Sequence, residues 1–494
     1  MPGYTGIVFV YHRSHTSHTP MKQRIVGLLG LFIATLALFS FTSHDGSKDA
    51  AGYKISFKIK GAADSVYLCR YYGDKRYYQD TAIADAKGAF VFEGKDALPE
   101  GMYFVLLPGQ KFFDIIVANQ VFSIEGDTSN FVKYMVTKNA PDNKSFYDYQ
   151  QFYLKQKESV DSINAKAKQN PALKEQTTEA IKAIDVKMNE YITNFKKVNA
   201  KSLFTTILNA SEEVQFPEIP KKENGQLDSV FMYRYYKNHF FDKVDFTDDR
   251  LIRTPILAPK VDRYFKDLVT QSPDSIIKEI DWLLGKVVNS KDTYEYLVRT
   301  LTYKYETSEI MGMDAVFVHM GKNYYEKGKC PWANKETLDK IKERTDILDP
   351  LLLGKKAPNL YMTDSTGKYI QLHSIKAKYT LVFFWDSNCG HCQKEVPKLF
   401  EMLPKLKTKG CVVYAANIER KNEGWIKFIK EKKLSDPAWF NVIDSHTHTD
   451  FKITYDIYST PVLYILDENK KIIAKRITIE QLSDFLENYN KIKK

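Results

Sequence analysis

Two cysteines three positions apart stand out in the stretch LVFFWDSNCGHCQKEVPKL, residues 381–399. Cys389 and Cys392 come where an apolar run gives way to a charged segment with helical spacing. A pair of this kind can hold a metal ion, close a structural disulfide or work as a redox couple. The neighbouring residues and the rest of the chain decide among these three kinds of site.

A metal site has too few ligands here. Structural zinc requires four, and they usually include a second Cys or His pair at matching spacing. The nearest candidates are His391, inside the pair, and His446 and His448, in the segment DSHTHTD that we predict to be a loop. We therefore predict no metal ion. No pattern indicates a nucleotide, haem or flavin site either, so no cofactor is expected.

A redox couple explains the pair better than a structural disulfide, because a bridge between residues three apart closes almost no loop and gains little entropy. The residues before the first cysteine, Asp386, Ser387 and Asn388, are of the kind that caps helices. They predict that Cys389 lies in the first turn of a helix, where free backbone N–H groups and the helix dipole favour a thiolate. Cys392 would follow one turn later on the same face. Cys389 is thus expected to attack and Cys392 to resolve.

The elements around the pair predict an α/β domain over residues 350–494. YTLVFFW is a continuous apolar run suited to a central strand. We expect a hairpin before it with a turn at residues 365–367, a helix over about 389–406, the strand CVVYAAN and a helix near 423–432. A second hairpin, TPVLYILDENKKIIAKRI, and the helix IEQLSDFLENYNKI would close the chain.

Two further domains are predicted upstream. Short segments with alternating apolar and polar residues indicate an antiparallel β-sandwich-like domain over residues 53–140. Helical spacing takes over in residues 143–349 and predicts an all-α middle domain. Within it, His319 has no evident ligand partner and is interpreted as a core or hinge residue. Cys69 and Cys411 are expected to be buried, inert thiols, whereas Cys330 is an isolated thiol of unassigned state.

The N-terminal region predicts export. Residues 21–43 begin with a cationic stretch and continue with an apolar run over residues 25–41, which is typical of a signal peptide. The run is at the short end for a membrane helix, so an uncleaved membrane anchor is the alternative. Residues 1–20 precede Met21, which is a natural start for a signal peptide, so we interpret them as a start assigned too far upstream. We expect a protein of the cell envelope, periplasmic, either soluble or anchored.

Composition limits the classes of protein and partner. With 44% hydrophobic and 27% charged residues the chain is neither disordered nor collagen-like. Its net charge of +11 comes from lysines interleaved with acidic residues along the predicted helices, not from a basic block with stacking aromatics. A nucleic-acid partner is therefore not expected.

These motifs also resemble a known family. The strand LVFFW, the CGHC pair, the following KEVPKL and the later YSTPVLYILDENKKII are similar to the thioredoxin superfamily, in particular to exported TlpA- and ResA-like thiol–disulfide oxidoreductases, over about residues 351–494. The upstream regions are more loosely similar to the accessory domains of Bacteroidetes-type envelope proteins. The resemblance implies that Cys389 exchanges with client protein cysteines, that Cys392 resolves the mixed disulfide, and that an unidentified redox partner resets the pair.

Carried over residue by residue, the resemblance implies further site residues. Pro461, preceded by Thr460, would be a cis-proline that faces the cysteines and presents backbone groups to an extended client; a trans proline at a strand start is the alternative. Glu395 matches an acidic residue that assists proton transfer, with a solvated surface glutamate as the alternative. Trp385 matches the tryptophan beside the site, most simply as a packing residue.

Two departures from the family bear on the chemistry. Phe383 stands where thioredoxin has a buried aspartate, so that proton relay is missing and more weight falls on Glu395. His391 between the cysteines resembles isomerases and oxidants, in which a donor near the thiolate stabilises the reduced form and makes the disulfide more oxidising. The direction of electron flow is therefore open.

Two other functions occur for chains with such a module. A thiol peroxidase of this superfamily needs Pro and Thr before its cysteine, and Val382 and Asp386 occupy those positions, which argues against peroxidase activity. A non-catalytic envelope binding or scaffold protein, with the thioredoxin module as a passive fold, remains the alternative to an oxidoreductase.

Overall fold

The structure, a computed structural model, describes residues 52–170, 174–419, 422–444, 446 and 448–492. The predicted start, signal peptide and anchor in residues 1–43 lie outside the described residues. No described helix is both long and apolar enough to cross a membrane. The chain divides into two compact units, Met1–Tyr264 and Phe265–Lys494, and each is described by itself.

The first unit begins with two four-stranded sheets. The strands are β1 (Tyr53–Lys60), β2 (Asp64–Tyr72), β3 (Lys75–Ala84), β4 (Ala89–Gly94), β5 (Gly101–Leu107), β6 (Lys111–Val117), β7 (Val121–Asp127) and β8 (Val136–Lys138). Their order is β4-β1-β7-β8 in one sheet and β3-β2-β5-β6 in the other. Buried Phe57 of the first sheet packs on Phe113 of the second, with ring centroids 5.9 Å apart. The predicted strand-rich, sandwich-like region is confirmed.

One strand pair departs from the predicted antiparallel arrangement. β1 runs parallel to β7, with Ile55 opposite Phe122 and Phe57 opposite Ile124. Alternation of apolar and polar residues predicts which face of a strand is buried, but it carries no information on the direction of the neighbour. Since β2 to β6 intervene in the chain, the connection between β1 and β7 is long enough to return in the parallel sense.

Helices follow in both units, which confirms the helical middle region. They are α1 (Pro141–Gln169), α2 (Lys174–Val198), α3 (Leu203–Ala210), α4 (Ser229–His239) and α5 (Leu257–Arg263) in the first unit, and α6 (Pro273–Lys286), α7 (Lys291–Glu306), α8 (Asp314–Met320) and α9 (Lys335–Leu348) in the second. Asp228 and Asn334 cap α4 and α9 with their side chains, as these residue types favour. The division between the units falls inside residues 143–349, so the predicted domain boundaries stay a prediction.

His319 has hydrogen-bonding partners that its sequence neighbours do not indicate. Its Nε2 lies 2.8 Å from a carboxylate oxygen of Asp281, and its Nδ1 lies 3.1 Å from the side-chain nitrogen of Asn323. Tyr324 donates to the same Asp281 oxygen at 2.6 Å. Asp281 precedes His319 by 38 residues, so only the packing of α6 against α8 brings the two together.

The second unit ends in a seven-stranded mixed sheet with five helices. The strands are β9 (Tyr361–Thr363), β10 (Tyr369–Gln371), β11 (Tyr379–Trp385), β12 (Cys411–Asn417), β13 (Trp439–Ile443), β14 (Val462–Leu466) and β15 (Ile472–Lys475), in the order β10-β9-β13-β12-β11-β14-β15. The helices are α10 (Cys392–Glu401), α11 (Leu403–Thr408), α12 (Asn422–Glu431), α13 (Phe451–Tyr455) and α14 (Ile479–Ile492). Strand β11 runs parallel to β12 and antiparallel to β14.

The predicted hairpins, the strands β11 and β12 and the last two predicted helices are confirmed, with two differences. Strand β13 and helix α13 were not predicted. The helix predicted over 389–406 begins at Cys392 and is interrupted at Met402. Pro404 explains the interruption, because it cannot donate a backbone hydrogen bond to the carbonyl of Phe400.

Strand β11 separates two apolar cores. All seven of its residues are buried, which explains its continuous apolar sequence. Phe383 and Trp385 face the core formed with α10, α12 and α14, whereas Val382 and Phe384 face the core that contains Tyr455 of α13. Burying side chains of this size contributes about 1.5–3 kcal/mol each, so β11 is a rigid base for the loop that follows it.

A buried lysine joins two segments of the second unit. Lys475, at the end of β15, is 7% exposed. Its Nζ forms an ion pair with Asp314 at the start of α8 and donates to the backbone oxygen of Leu351 at 2.6 Å. The edge strand of the sheet is therefore fastened to the helical segment that precedes the α/β domain in the chain.

Candidate active site

The cysteine pair lies in the turn between β11 and α10. After Trp385 the chain turns at Asp386, whose side chain accepts from the N–H of Asn388 at 2.7 Å. The N–H of Cys389 then donates to the backbone oxygen of Asp386 at 3.1 Å, and the Cys389 oxygen accepts the N–H of Gln393 at 3.0 Å. Cys389 thus stands just ahead of the first turn of α10, whose first N–H groups have no partner within the helix.

The surroundings of Cys389 favour its thiolate. Burial alone raises the pKa of this half-buried thiol, but hydrogen bonds from the N–H and side chain of Cys392, from Thr460 and from the N–H of His391 outweigh burial and lower it. The thiol also donates to the backbone oxygen of Thr460 at 3.5 Å. This is the direction of the pKa shift that the cap position predicts. The part of His391 that contributes is its backbone N–H.

Cys392 differs from its neighbour. It is fully buried, and burial, reinforced by Cys389, raises its pKa to about 11, against smaller opposing effects of Thr460 and the N–H of Asp386. Both cysteines are free thiols in this structure, and their side chains are hydrogen-bonded to each other. An accessible sulfur that ionises easily thus stands beside a buried one that stays protonated.

Thr460 and Pro461 lie directly beside this pair. They occupy the connection between α13 and β14, and the peptide bond between them is cis, as expected. Val462, the next residue, begins β14 opposite Phe384 of β11, which brings the connection to the end of the central strand that carries the cysteines. Thr460 contacts Cys389, as the hydrogen bond to its backbone oxygen shows.

The other predicted site residues occupy different surroundings. Trp385 is fully buried and packs on Phe428, with ring centroids 5.3 Å apart, as expected of a packing residue. The side chain of His391 is exposed. Glu395 is half-buried in the first turn of α10, and its carboxylate lies 3.7 Å from the Nζ of Lys398. Catalytic roles for Glu395 and for the His391 ring stay predictions.

Glu419 belongs to the site and was missed. Its carboxylate accepts hydrogen bonds from the side chains of Ser387 and Asn388, the two residues before Cys389. Its own N–H donates to the side chain of Asn417 at 2.8 Å. Because β11 and β12 are parallel, their carboxyl ends meet at one edge of the sheet. An acidic residue just beyond CVVYAAN was the available signal.

The remaining three cysteines are buried thiols. Burial raises the pKa of Cys69 to about 11, that of Cys411 to about 11 and that of Cys330 to about 12. Unlike Cys389, they are poor nucleophiles at neutral pH, as predicted for Cys69 and Cys411.

Family models match all three regions of the chain. The model described as the AhpC/TSA family matches residues 353–475, which include the cysteine pair and Pro461. Two models described only as domains of unknown function, DUF5106 and DUF4369, match residues 162–348 and 53–146.

Two solved structures illustrate the similarity to known proteins. A domain of a possible thiol-disulfide isomerase from Cytophaga hutchinsonii is 66% identical, covers 29% of this chain and 95% of that chain, and has a TM-score of 0.28. A thioredoxin-like protein from Bacteroides caccae is 19% identical, covers 56% of this chain and 99% of that chain, and has a TM-score of 0.42.

Curated relatives with similar sequences are thiol-disulfide oxidoreductases. The protein ResA of Bacillus cereus is 34% identical over 143 residues, which are 28% of this chain and 78% of the relative. ResA of Bacillus subtilis is 26% identical over 138 residues, 28% of this chain and 73% of the relative. Through its C-terminal thioredoxin-like domain, the chain belongs to the ResA-like family of thiol–disulfide oxidoreductases.

Proposed function

We propose that this chain is a cell-envelope enzyme that exchanges disulfides with cysteines of client proteins through Cys389 and Cys392. The observation that carries the proposal is the contrast between two adjacent thiols, one half-buried with a lowered pKa and one fully buried with a pKa of about 11. A structural pair needs no such contrast, whereas a nucleophile and a resolving thiol do.

The exchange with a client disulfide proceeds in two displacements. The Cys389 thiolate attacks one client sulfur, a Cys389–client disulfide forms, and the other client sulfur leaves as a thiolate. Cys392 then loses its proton, attacks the Cys389 sulfur and expels the second client thiolate. Two electrons pass from the pair to the client, and the released client sulfurs take up protons. The reverse sequence oxidises a client dithiol, and the relative reduction potentials decide the direction.

The neighbouring residues support these steps. A client segment that pairs with the backbone at Thr460 and Pro461 would bring its sulfur to Cys389, since the backbone oxygen of Thr460 is 3.5 Å from that thiol. Glu395, one turn after Cys392 on α10, would accept the proton that Cys392 must lose. His391, through its backbone N–H to Cys389, and Trp385, which directly precedes the turn, would tune the potential.

The partners follow from this chemistry. They are client proteins with cysteines, and a redox partner that returns the pair to its working state. Residues 21–43 would direct the chain to the periplasm, either released or held by the apolar run 25–41. The strand-rich and helical regions would recruit clients.

The test is a Cys392→Ser variant of the full chain, expressed in its native envelope. Without the resolving thiol, the Cys389–client disulfide cannot be attacked from within, so the covalent complex should persist and its client should be identifiable by mass spectrometry. The matched control is the Cys389→Ser, Cys392→Ser double variant, which has no nucleophile and should capture nothing. Should Cys392→Ser capture nothing while Cys389 is readily alkylated, the chain is a scaffold with a passive thioredoxin module.

A further inference from the structure

A short connection carries the client-facing residues to the cysteines. It consists of residues 456–461, and runs from the end of α13 to the start of β14. Asp456 is its first residue, and Thr460, four residues later, contacts the sulfur of Cys389. Displacing this connection would move Thr460 and Pro461 relative to the nucleophile. The contacts of Asp456 therefore control the position of Thr460 and Pro461, where we propose that clients bind.

Two arginines hold the Asp456 side chain. Arg344 of α9 donates to both carboxylate oxygens, to Oδ1 through Nη1 and to Oδ2 through Nη2, the latter at 3.2 Å. Arg476, just after β15, donates to Oδ2 and also to the backbone oxygen of Asp456 at 2.9 Å. The N–H of Arg476 in turn donates to the backbone oxygen of Leu463 in β14, at 2.8 Å. Arg476 therefore holds the chain at both sides of the connection, through its side chain at Asp456 and through its backbone N–H at Leu463.

Of the three charged side chains, the carboxylate is the buried one. The Asp456 side chain is 3% exposed, whereas that of Arg344 is 27% exposed and that of Arg476 is 53% exposed. A buried carboxylate is costly unless it is paired and hydrogen-bonded, so Asp456 has little freedom to leave its two partners. A bidentate arginine also fixes the orientation of a carboxylate, which a single point charge does not.

The backbone at Asp456 ends helix α13 and fixes the direction in which the connection leaves it. Asp456 has a φ of 55°, a left-handed conformation that residues other than glycine rarely adopt. Its N–H and that of Ile457 both donate to the backbone oxygen of Phe451, and the two arginines then hold the side chain. Arg344 is the partner that comes from outside residues 350–494, since α9 precedes the thioredoxin-like domain.

We propose that Arg344 is a positioning residue of the client site, by which the helical segment completes the thioredoxin-like domain. It orients Asp456, and through residues 456–461 it places Thr460 and Pro461 beside Cys389. The inference rests on the proposed function, because it concerns how extended clients are held. It predicts that reduction of an extended peptide disulfide depends on Arg344 much more strongly than reduction of a small disulfide, which makes no backbone contacts.

The test compares two substrates of the reduced full chain, an extended disulfide-bonded peptide and hydroxyethyl disulfide. In Arg344→Ala the KM for the peptide should rise about tenfold or more, since small misplacements of binding groups have effects of this size. The rate with hydroxyethyl disulfide should fall by a clearly smaller factor, because this substrate senses only the contact between Thr460 and the Cys389 sulfur and not the loss of backbone pairing. Arg344→Lys keeps the charge without the bidentate contact and should show a smaller rise of the same kind. If Arg344→Ala does not fold, Arg344→Lys decides.

The control is Lys340→Ala, on the same helix, which removes an exposed ion pair with Glu336 and should change neither rate. A merely structural role for Arg344 would lower both rates together, in proportion to the folded fraction measured by thermal unfolding. That result, or an unchanged KM for the peptide, would overturn the inference and leave the proposed function intact. If the wild-type chain neither reduced these disulfides nor, in its oxidised form, oxidised the corresponding dithiols, the proposed function itself would fail.

Discussion

The two thiols of the pair should react with an alkylating agent at very different rates. In the folded chain, burial raises the pKa of Cys392 to about 11, compared with an ordinary value of 9.0, whereas the pKa of Cys389 is lowered. At neutral pH a rise of this size reduces the thiolate fraction about 100-fold. Only the thiolate is nucleophilic, but the thiolate of a less acidic thiol is intrinsically more reactive, so Cys389 should react about tenfold or more faster than Cys392 through ionisation alone. Burial of the Cys392 sulfur restricts access and widens the difference.

Competition labelling measures this ratio within one molecule. The reduced chain is treated briefly with iodoacetamide near neutral pH, and the modified peptides are quantified by mass spectrometry. Cys69, Cys330 and Cys411 serve as internal controls, since their raised pKa values predict slow reaction. In denaturant all five cysteines should react at similar rates. A rate profile of Cys392→Ser against pH should place the midpoint for Cys389 below 9.0.

Two results would refute this reasoning. Comparable labelling of Cys389 and Cys392 in the folded chain would show that the buried sulfur ionises as easily as the exposed one. A midpoint for Cys389 at or above the ordinary thiol value would show that the N–H groups of Cys392 and His391 do not outweigh burial. Either result would remove the contrast on which the assignment of attacking and resolving thiols depends.

Three further predictions follow from particular contacts. His391→Pro removes an N–H that bonds the Cys389 sulfur, so the reduction potential against glutathione should become more negative, whereas His391→Ala, which keeps that N–H, should change it less. Glu395→Gln should slow exchange near neutral pH without unfolding the chain. An unaltered pH–rate profile would show that Glu395 is a solvated surface residue with no part in proton transfer. Burial raises the pKa of Asp114 in β6 from 3.8 to about 6, so its stabilising effect is complete below pH 3.8 and lost as the pH rises through 6. In urea unfolding, this effect should lower the free energy of unfolding of the wild-type chain by about 3 kcal/mol between pH 3.8 and pH 6, and Asp114→Asn should abolish that decrease. If the variant showed the same decrease, Asp114 would be excluded as its source.

The sequence predicted best those features that depend on local patterns. YTLVFFW is long, continuous and rich in β-formers, and β11 has the predicted position. The cysteine pair was recognisable because its spacing and its place after a strand are both local. Strand β13, WFNVI, was missed because it is only five residues long and mixes apolar residues with Asn441. Short strands are specified more by their neighbours than by their own residues.

Features that join distant residues were not predictable from one sequence. Asp456 and Arg344 are 112 residues apart, and neither stands in a pattern that distinguishes it from an ordinary surface charge. Glu419 is 31 residues from Asn388 and acquires its role only through the parallel pairing of β11 and β12. The parallel direction of β1 and β7 is likewise set by the assembled sheet. In each case tertiary packing supplies the information.

The attachment of Lys475 to Asp314 has a consequence for how such chains diversify. A lysine that is 7% exposed is tolerable only while a carboxylate and a carbonyl surround its charge, and the carboxylate comes from the preceding helical segment. Exchanging the thioredoxin-like domain between chains at this junction leaves Lys475 with an unmatched buried charge unless the new helical segment also supplies a carboxylate. Across homologous chains, positions 314 and 475 should therefore vary together, as an oppositely charged pair or as two uncharged residues. Recombination that separates them should be selected against.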